Sequence, residues 1–236
     1  MRLDNYILHK DQLQSRNRAQ QLIKAGLVKV NGRVVCKPAF DVCEEDTIHI
    51  TQEKQYVSRA AYKLLYFLED IALRVDGVDA LDIGSSTGGF TQVLLEFGAQ
   101  SVTAVDVGEN QLHPSLRKHP RIRLYEGCDI RSFDPQKEYE LVVSDVAFIS
   151  LLYILDDIDR LASKDIILLF KPQFEVGREV KRDKNGVVQD KKAIQKAMQR
   201  FEDATHVKGW KLLAKEASKL AGKKGNLEWC YHFVKC

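Results

Sequence analysis

Asp79-Ala80-Leu81-Asp82-Ile83-Gly84-Ser85-Ser86-Thr87-Gly88-Gly89-Phe90-Thr91 is the stretch whose reading decides the fold. Its first five residues have the apolar density of a short buried strand. The glycines then make a tight turn, and Gln92 to Phe97 continues as a helix. Val102-Thr103-Ala104-Val105 follows as a second strand ending in Asp106, 22 residues after Gly84. Small residues in such a turn let the backbone approach a nucleotide-like ligand, and an acid ending the next strand can accept both ribose hydroxyls. The turn is not the Gly-x-Gly-x-x-Gly of dinucleotide sites, and Asp82 within it would repel a pyrophosphate but suit an ammonium. A ribose, an ammonium and no phosphate describe S-adenosylmethionine. The competing reading is a structural glycine turn in some other α/β domain.

Outward from this stretch, strands and helices alternate. A helical stretch near His113 to Lys118 leads to strand Ile122 to Tyr125, with Asp129 just beyond it. Glu140 to Ser144 is a buried strand ending at Asp145, and Ser150 to Leu161 reads as a helix. Asp165 to Phe170 is a strand ending at Lys171-Pro172. A polar loop (173–189), a basic helix from Lys191 to His206, and strands near Leu212–Ala217 and Glu228–Val234 complete the pattern. This alternation predicts an α/β fold, an open doubly wound sheet closed by an antiparallel pair. Ligands bind such sheets beyond the carboxyl ends of the strands, where Asp106, Asp129, Asp145 and Lys171 all fall.

Upstream, residues 1–50 read as a small α+β module, 51–57 as a polar linker and 58–236 as the larger domain. Arg2 to Leu8 is a short helix; Ser15 caps a second, Arg16 to Ala25, stopped by Gly26. Val28 to Val35 is a hairpin about Asn31-Gly32, and Asp46 to Ile50 a further strand. Ser58 is placed to cap a helix whose apolar face is Leu64, Leu65, Phe67 and Leu68. Lys63 in that helix is, on spacing alone, a solvent-facing stem.

With 236 residues, 44% hydrophobic and 29% charged, the composition is that of a globular protein. The sequence predicts no leader and no membrane span, and five cysteines without a CxxC pair predict reduced thiols, no metal site and a cytoplasmic protein. The net charge of +3 conceals segregation: residues 1–40 carry +6, residues 41–163 carry −11 and residues 164–224 carry +8. Two basic blocks flanking an acidic middle suit a polyanion, although charge blocks are also ordinary solvated faces.

Methyl transfer to a ribose 2′-hydroxyl needs a base or cation, because that hydroxyl is barely ionised at neutral pH. Amino-group methylation would call for an Asn/Asp-Pro-Pro-aromatic loop, where this chain has Ser144-Asp145-Val146-Ala147-Phe148. Attack through cytosine carbon would need a nearby cysteine. What is present is Lys63, Lys171, Asp145 and Glu228. Free lysine, of pKa about 10.4, is a poor base, but a neighbouring ammonium and desolvation can lower one of a pair. Lys171 is the candidate proton acceptor, Lys63 its electrostatic partner, and the two acids hold them; a charged Lys171 that only orients the hydroxyl is the alternative.

Two resemblances carry these expectations further. Arg2-Leu3-Asp4, Ser15-Arg16-x-x-Ala19-x-x-Leu22-Ile23-x-x-Gly26, Val28-x-Val30-Asn31-Gly32 and Asp46-x-Ile48-x-Ile50 resemble the S-four RNA-binding domain, which presents a basic face to structured RNA. This implies RNA-binding roles for Arg2, Arg16, Arg18, Lys24, Lys29, Arg33 and Lys37. Ser58-Arg59-Ala60-x-x-Lys63-Leu64, the turn Asp82 to Phe90, Val105-Asp106-Val107-Gly108, Lys171 to Gly177 and Gly225-Asn226-x-Glu228 resemble the TlyA family of FtsJ-type RNA methyltransferases. Nearly the whole chain is covered. The resemblance implies a Rossmann-like class I methyltransferase domain, with a Lys-Asp-Lys-Glu tetrad at Lys63, Asp145, Lys171 and Glu228. It implies cofactor contacts from Asp82, Gly84, Ser86, Gly88, Gly89, Phe90, Asp106, Asp129 and Asp145. It further implies ribose methylation of cytidine in ribosomal RNA within ribosomal subunits. Ser218-Lys219 departs from the family's Ser-Pro, and Ala147 replaces its usual serine. The alternatives are a membrane-active haemolysin, a name this family also carries, and a non-catalytic RNA-binding assembly factor.

Overall fold

The computed structural model describes residues 1–10, 15–24, 26–50 and 56–235, and the chain divides into two compact units, Met1–Gln55 and Tyr56–Cys236. The linker expected at 51–57 lies outside the described residues up to position 55, as do the Ala25 end of the second helix and the side chain of Arg18.

The first unit holds helices α1 (Leu3–Lys10) and α2 (Arg16–Lys24) and a three-stranded antiparallel sheet of β1 (Val28–Val30), β2 (Arg33–Val34) and β3 (Ile48–Ile50) in the order β2-β1-β3. Asn31 and Gly32 both take positive φ, 50° and 79°, the geometry an Asn-Gly hairpin requires. Leu3, Ile7, Ala19, Leu22, Ile23, Val28, Val30 and Val42 form its core. One charge sits inside. The buried Asp4 carboxylate accepts from Arg2 Nε (3.1 Å), Arg16 Nε (3.1 Å) and Gln20 Nε2 (2.8 Å), which joins α1 to α2. The Arg2 guanidinium above all holds the Asp4 carboxyl far below the usual carboxylate range.

The second unit is built on a seven-stranded sheet: β4 (Asp79–Ile83), β5 (Ser101–Val105), β6 (Ile122–Tyr125), β7 (Tyr139–Ser144), β8 (Ala162–Phe170), β9 (Trp210–Ala217) and β10 (Trp229–Lys235). The order is β6-β5-β4-β7-β8-β10-β9. The strands pair in parallel from β6 to β8; β10 runs antiparallel to both β8 and β9. Helices α3 (Ala60–Ile71), α4 (Gly89–Glu96), α5 (Pro114–Arg117), α6 (Leu155–Leu161), α7 (Pro172–Glu175) and α8 (Lys191–Val207) complete it. Two apolar layers result. Leu64, Phe67, Phe90, Val93 and Leu94 pack with one set of strand side chains, and Leu155, Ile158, Phe201 and Trp210 with the other. Chain order reverses between β4 and β7, the switch point at which such sheets open a crevice.

Several local expectations are corrected. Ser58 is not the cap of α3: Arg59 takes that position, with no side-chain cap bond. Instead, the Ser58 hydroxyl fills the space beside Gly89 where any Cβ would collide. The helix α4 begins at Gly89 rather than Gln92, entered through Gly88 at φ 92°. The expected helix 150–161 is a 3₁₀ turn, Leu151–Tyr153, followed by α6; β8 starts three residues earlier than read; and α7 occupies part of the supposed loop.

Candidate active site

Asp106, Asp145 and Lys171 each follow directly on the last residue of β5, β7 and β8, so these three strand ends, with β4 between the first two, present polar groups to one edge. β10 enters that edge from the opposite direction. Its first residue, Trp229, pairs with Phe170, the last of β8, so Glu228 falls opposite Lys171 by continuation of the register.

The four residues form two short ion pairs, Lys171 Nζ to Asp145 Oδ1 at 2.5 Å and Lys63 Nζ to Glu228 Oε2 at 2.5 Å. Lys171 Nζ also donates to the Asp145 backbone carbonyl at 3.1 Å. Lys171 is 8% exposed and Glu228 2%. Cys230, the second residue of β10, marks where the pairs converge: burial pushes its thiol up to about 12, and it feels the charges of Asp145, Lys63 and Glu228. Removing one partner of such a pair leaves a buried charge uncompensated, a cost of about 3–5 kcal/mol. Gln173 Nε2 donates to the other Glu228 oxygen at 3.1 Å.

Beside these pairs lies a cavity of about 440 Å³, the size of a small-molecule site, lined among others by Gly84, Ser86, Asp106, Asp129, Asp145 and Phe148. Gly84 takes φ 78°, and a Cβ there would press on Val146 at 3.0 Å. Ser86 also adopts a positive φ, 45°, and its N–H donates to Asp106 Oδ2 at 2.8 Å, while Gly108 N–H donates to Oδ1 at 2.7 Å. Both oxygens of Asp106 are thereby aimed, and each keeps a lone pair for a ligand hydroxyl. Asp129 is held by Arg131, whose Nη2 lies 2.5 Å from Oδ2; this pair keeps the Asp129 carboxyl below its ordinary range.

Asp82, beneath the turn, is wholly buried. Thr91 Oγ1 donates to its Oδ2 at 2.6 Å, and Oδ1 has no partner among the described residues. Burial pushes its pKa up to about 7, with Asp145 and Asp106 acting in the same direction. An unpartnered buried carboxylate oxygen, an aimed Asp106 and three acids around a cavity of this size fit a cationic nucleoside such as S-adenosylmethionine.

Not every residue expected at the cofactor is at the cavity. Phe90 is buried in the core between α3 and α4; the missing Cβ of Gly88 leaves room for Leu112 and Leu116, and Gly89 faces Ser58. These three shape the turn without lining the cavity, and Asp82, sealed beneath the turn, does not line it either. Conversely, Arg131, Gln173 and Phe148 went unremarked as functional. Phe148 is 93% exposed at φ 68°, an uncommon conformation for an aromatic residue, and its ring meets Phe174 at 5.4 Å between centroids. Its signal was the sequence Asp145-x-x-Phe148 at a strand end.

In the first unit Lys24, Lys29, Arg33 and Lys37 are exposed, while Arg2 and Arg16 are exposed in part and tied to Asp4. Among the described residues no group of three or more His, Cys, Asp or Glu could hold a metal ion, and Cys36, Cys43, Cys128 and Cys230 are free thiols.

The FtsJ-like methyltransferase profile matches residues 56–235, three-quarters of the chain, and the S4 domain profile residues 1–48. The chain belongs to the FtsJ-like methyltransferase family. Within that family it is a TlyA-type protein: it is 45% identical over 254 aligned positions to the 23S rRNA (cytidine-2′-O)-methyltransferase TlyA of Campylobacter jejuni, covering all of both chains. It is also 38% identical to Hemolysin A of Brachyspira hyodysenteriae over 99% of this chain and all of that one. A solved Streptococcus thermophilus structure, provisionally called a hemolysin, superposes with a TM-score of 0.72 at 33% identity, covering 100% of this chain and 88% of that one.

Proposed function

We propose that this FtsJ-like methyltransferase uses S-adenosylmethionine to methylate the ribose 2′-hydroxyl of a cytidine in ribosomal RNA, within ribosomal subunits in the cytoplasm. The observation that carries the reading is the pair of buried lysine–carboxylate contacts beside an acid-lined cavity. Residues 1–50 are assigned as the RNA-binding module, 51–57 as linker and 58–236 as the catalytic domain.

Asp106 would hold the ribose of the cofactor, Asp129 the edge of its base, and Asp145 the positive end, with the buried Asp82 acting on it from beneath the turn. Bound there, S-adenosylmethionine supplies a methyl group activated by its sulfonium. The chain's own work is on the acceptor. Lys171 Nζ, in its deprotonated form, takes the proton of the 2′-hydroxyl and becomes an ammonium that Asp145 holds, while Lys63 supplies a neighbouring positive charge under the control of Glu228. Phe148 offers an exposed face on which a splayed base can stack, the usual way an unpaired nucleotide is held. Arg2, Arg16, Arg18, Lys24, Lys29, Arg33 and Lys37 supply the basic surface that positions the RNA by phosphate contact.

A membrane-active role is not favoured: among the described residues no helix is long and apolar enough to cross a membrane. A non-catalytic assembly factor would have no use for two buried ion pairs in the crevice.

The test uses the full chain, methyl-labelled S-adenosylmethionine and either ribosomal subunits or extracted rRNA. Label recovered in alkali-resistant dinucleotides identifies the ribose, because a methylated 2′-oxygen cannot attack its phosphodiester. Lys171→Ala abolishes the label while cofactor affinity stays near wild type; undiminished turnover in that variant removes the lysine from the chemistry.

A further inference from the structure

Each ion pair has one member in the wall of a hollow, and the two hollows differ in charge. On the Asp145 side is the cofactor cavity, with three carboxylates against one guanidinium, Arg131, itself paired to Asp129. On the Lys63 side is a second hollow of about 370 Å³, lined by Arg59, Ala60, Lys63, Leu220, Ala221 and Lys223. Among the described residues no carboxylate lines it. Lys63 is neutralised by Glu228, but Arg59 and Lys223 make no ion pair among the described residues, and the one hydrogen bond from Arg59 is a long 3.5 Å contact to the Ala221 carbonyl.

Arg59 and Lys223 are both exposed, so the hollow presents two unpaired cations to solvent, where an anion can come between them. The backbone that carries Lys223 is held in place: Gly222 N–H donates to the Asn226 carbonyl at 2.8 Å, and Gly225 N–H to the Gly222 carbonyl at 2.8 Å. Gly222 also packs so closely on the Glu228 carboxylate that a Cβ would collide with it. The hollow is therefore mechanically continuous with the Lys63–Glu228 pair.

The geometry points to a phosphate subsite: Arg59 and Lys223 receive the backbone phosphodiester next to the target ribose. This rests on the ribose reading above, and the chemistry of RNA supplies the link. The carbon bearing a 2′-hydroxyl adjoins the carbon whose oxygen carries the 3′-phosphate. A ribose brought to Lys171 therefore brings a phosphodiester with it, which cannot enter the acid-lined cavity and needs positive charge on the other side. Fixing that phosphate also orients the hydroxyl, so Arg59 and Lys223 act as positioning residues for the acceptor.

The experiment compares the full chain with the double variant Arg59→Gln/Lys223→Gln, using extracted rRNA across a salt series. Loss of charge-assisted phosphate contacts raises KM for RNA about tenfold, more than it lowers kcat. The dependence of log KM on log salt becomes shallower by about 0.7 for one phosphate. Affinity for S-adenosylmethionine and the thermal midpoint stay at wild-type values, and Arg59→Lys with Lys223→Arg recovers most of the loss. An active double variant with unchanged KM and salt slope overturns the subsite, and so does a loss that runs in step with loss of cofactor binding. Wild-type protein that labels RNA but yields no alkali-resistant dinucleotide overturns the ribose reading itself, and the subsite with it.

Discussion

Asp82 has only one of its two carboxylate oxygens partnered and no contact with solvent. Its pKa stands at about 7 in the folded protein against 3.8 in an open chain. The folded state thus keeps a proton that the unfolded state gives up, so this group's contribution to stability is full below about pH 4 and is lost as pH rises toward about 7. Asp82→Asn removes that slope. In calorimetric scans the ligand-free variant holds its thermal midpoint better than wild type as pH is raised to 7 and beyond, while titration shows weaker cofactor binding. A variant that keeps the wild-type pH slope places the linkage elsewhere. At this scale the sequence identified an acid in the turn and the chemistry it suits. It did not disclose that the acid is sealed in, because that depends on Thr91 and on strands remote in the chain. Ser58 shows the same limit: its position predicts a cap, whereas its place is set by the absent side chain of Gly89 across the packing surface.

Helix α7 is four residues long, yet it joins two segments that must meet. Glu175 is buried, and it accepts from the Ser150 hydroxyl at 2.5 Å and from Leu151 N–H at 2.8 Å; burial raises its pKa. Lys171 lies at the head of α7, and Ser150 ends the loop that begins at Asp145. Glu175 therefore clamps the loop carrying Asp145 and Phe148 to the turn carrying Lys171. Arg200 Nη2 from α8 adds a bond to the Glu175 carbonyl at 2.7 Å. Glu175→Ala should lower kcat about tenfold or more by loosening the placement of both groups. Glu175→Gln should recover most of it, since the amide can still serve Ser150 and Leu151. Steady-state kinetics with cofactor affinity measured alongside decides; equal activity of the alanine variant would leave Glu175 without a positioning role. The central strands β4, β5, β7 and β8 were legible because parallel-sheet strands are buried on both faces and read as continuous apolar runs. A helix of one turn has no periodicity to read, and Gln173-Phe174-Glu175 accordingly reads as loop. The break at Ile154 between the 3₁₀ turn and α6 escaped notice for the same reason.

Across the whole molecule, the charge blocks divide the labour suggested by the two compact units. Lys29, Arg33 and Lys37 are exposed and belong to the first unit, whereas Arg2 and Arg16 also hold Asp4 and cannot be removed without disturbing its core. The clean probe of RNA contact is therefore the triple variant Lys29→Ala/Arg33→Ala/Lys37→Ala. It should weaken rRNA binding and flatten its salt dependence, by about 0.7 for each phosphate lost, with cofactor affinity unchanged. Filter binding over a salt series reads both quantities; an unaltered slope would make these residues ordinary solvated surface. The order of elements was readable in the chain, and so was the candidacy of Lys63, Asp145, Lys171 and Glu228 for the site. The joining of these four into two pairs was not, because it depends on β10 entering between β8 and β9 in the reverse direction.

That insertion has a genetic consequence. Among the described residues β9 pairs with β10 and no other strand, and β10 is flanked on both sides. A nonsense or frameshift lesion just upstream of Glu228 would therefore do more than shorten an edge. It would strand β9, bare the flank of β8 and delete a carboxylate from the crevice in one stroke, so such alleles should behave as nulls, not as partial-function variants.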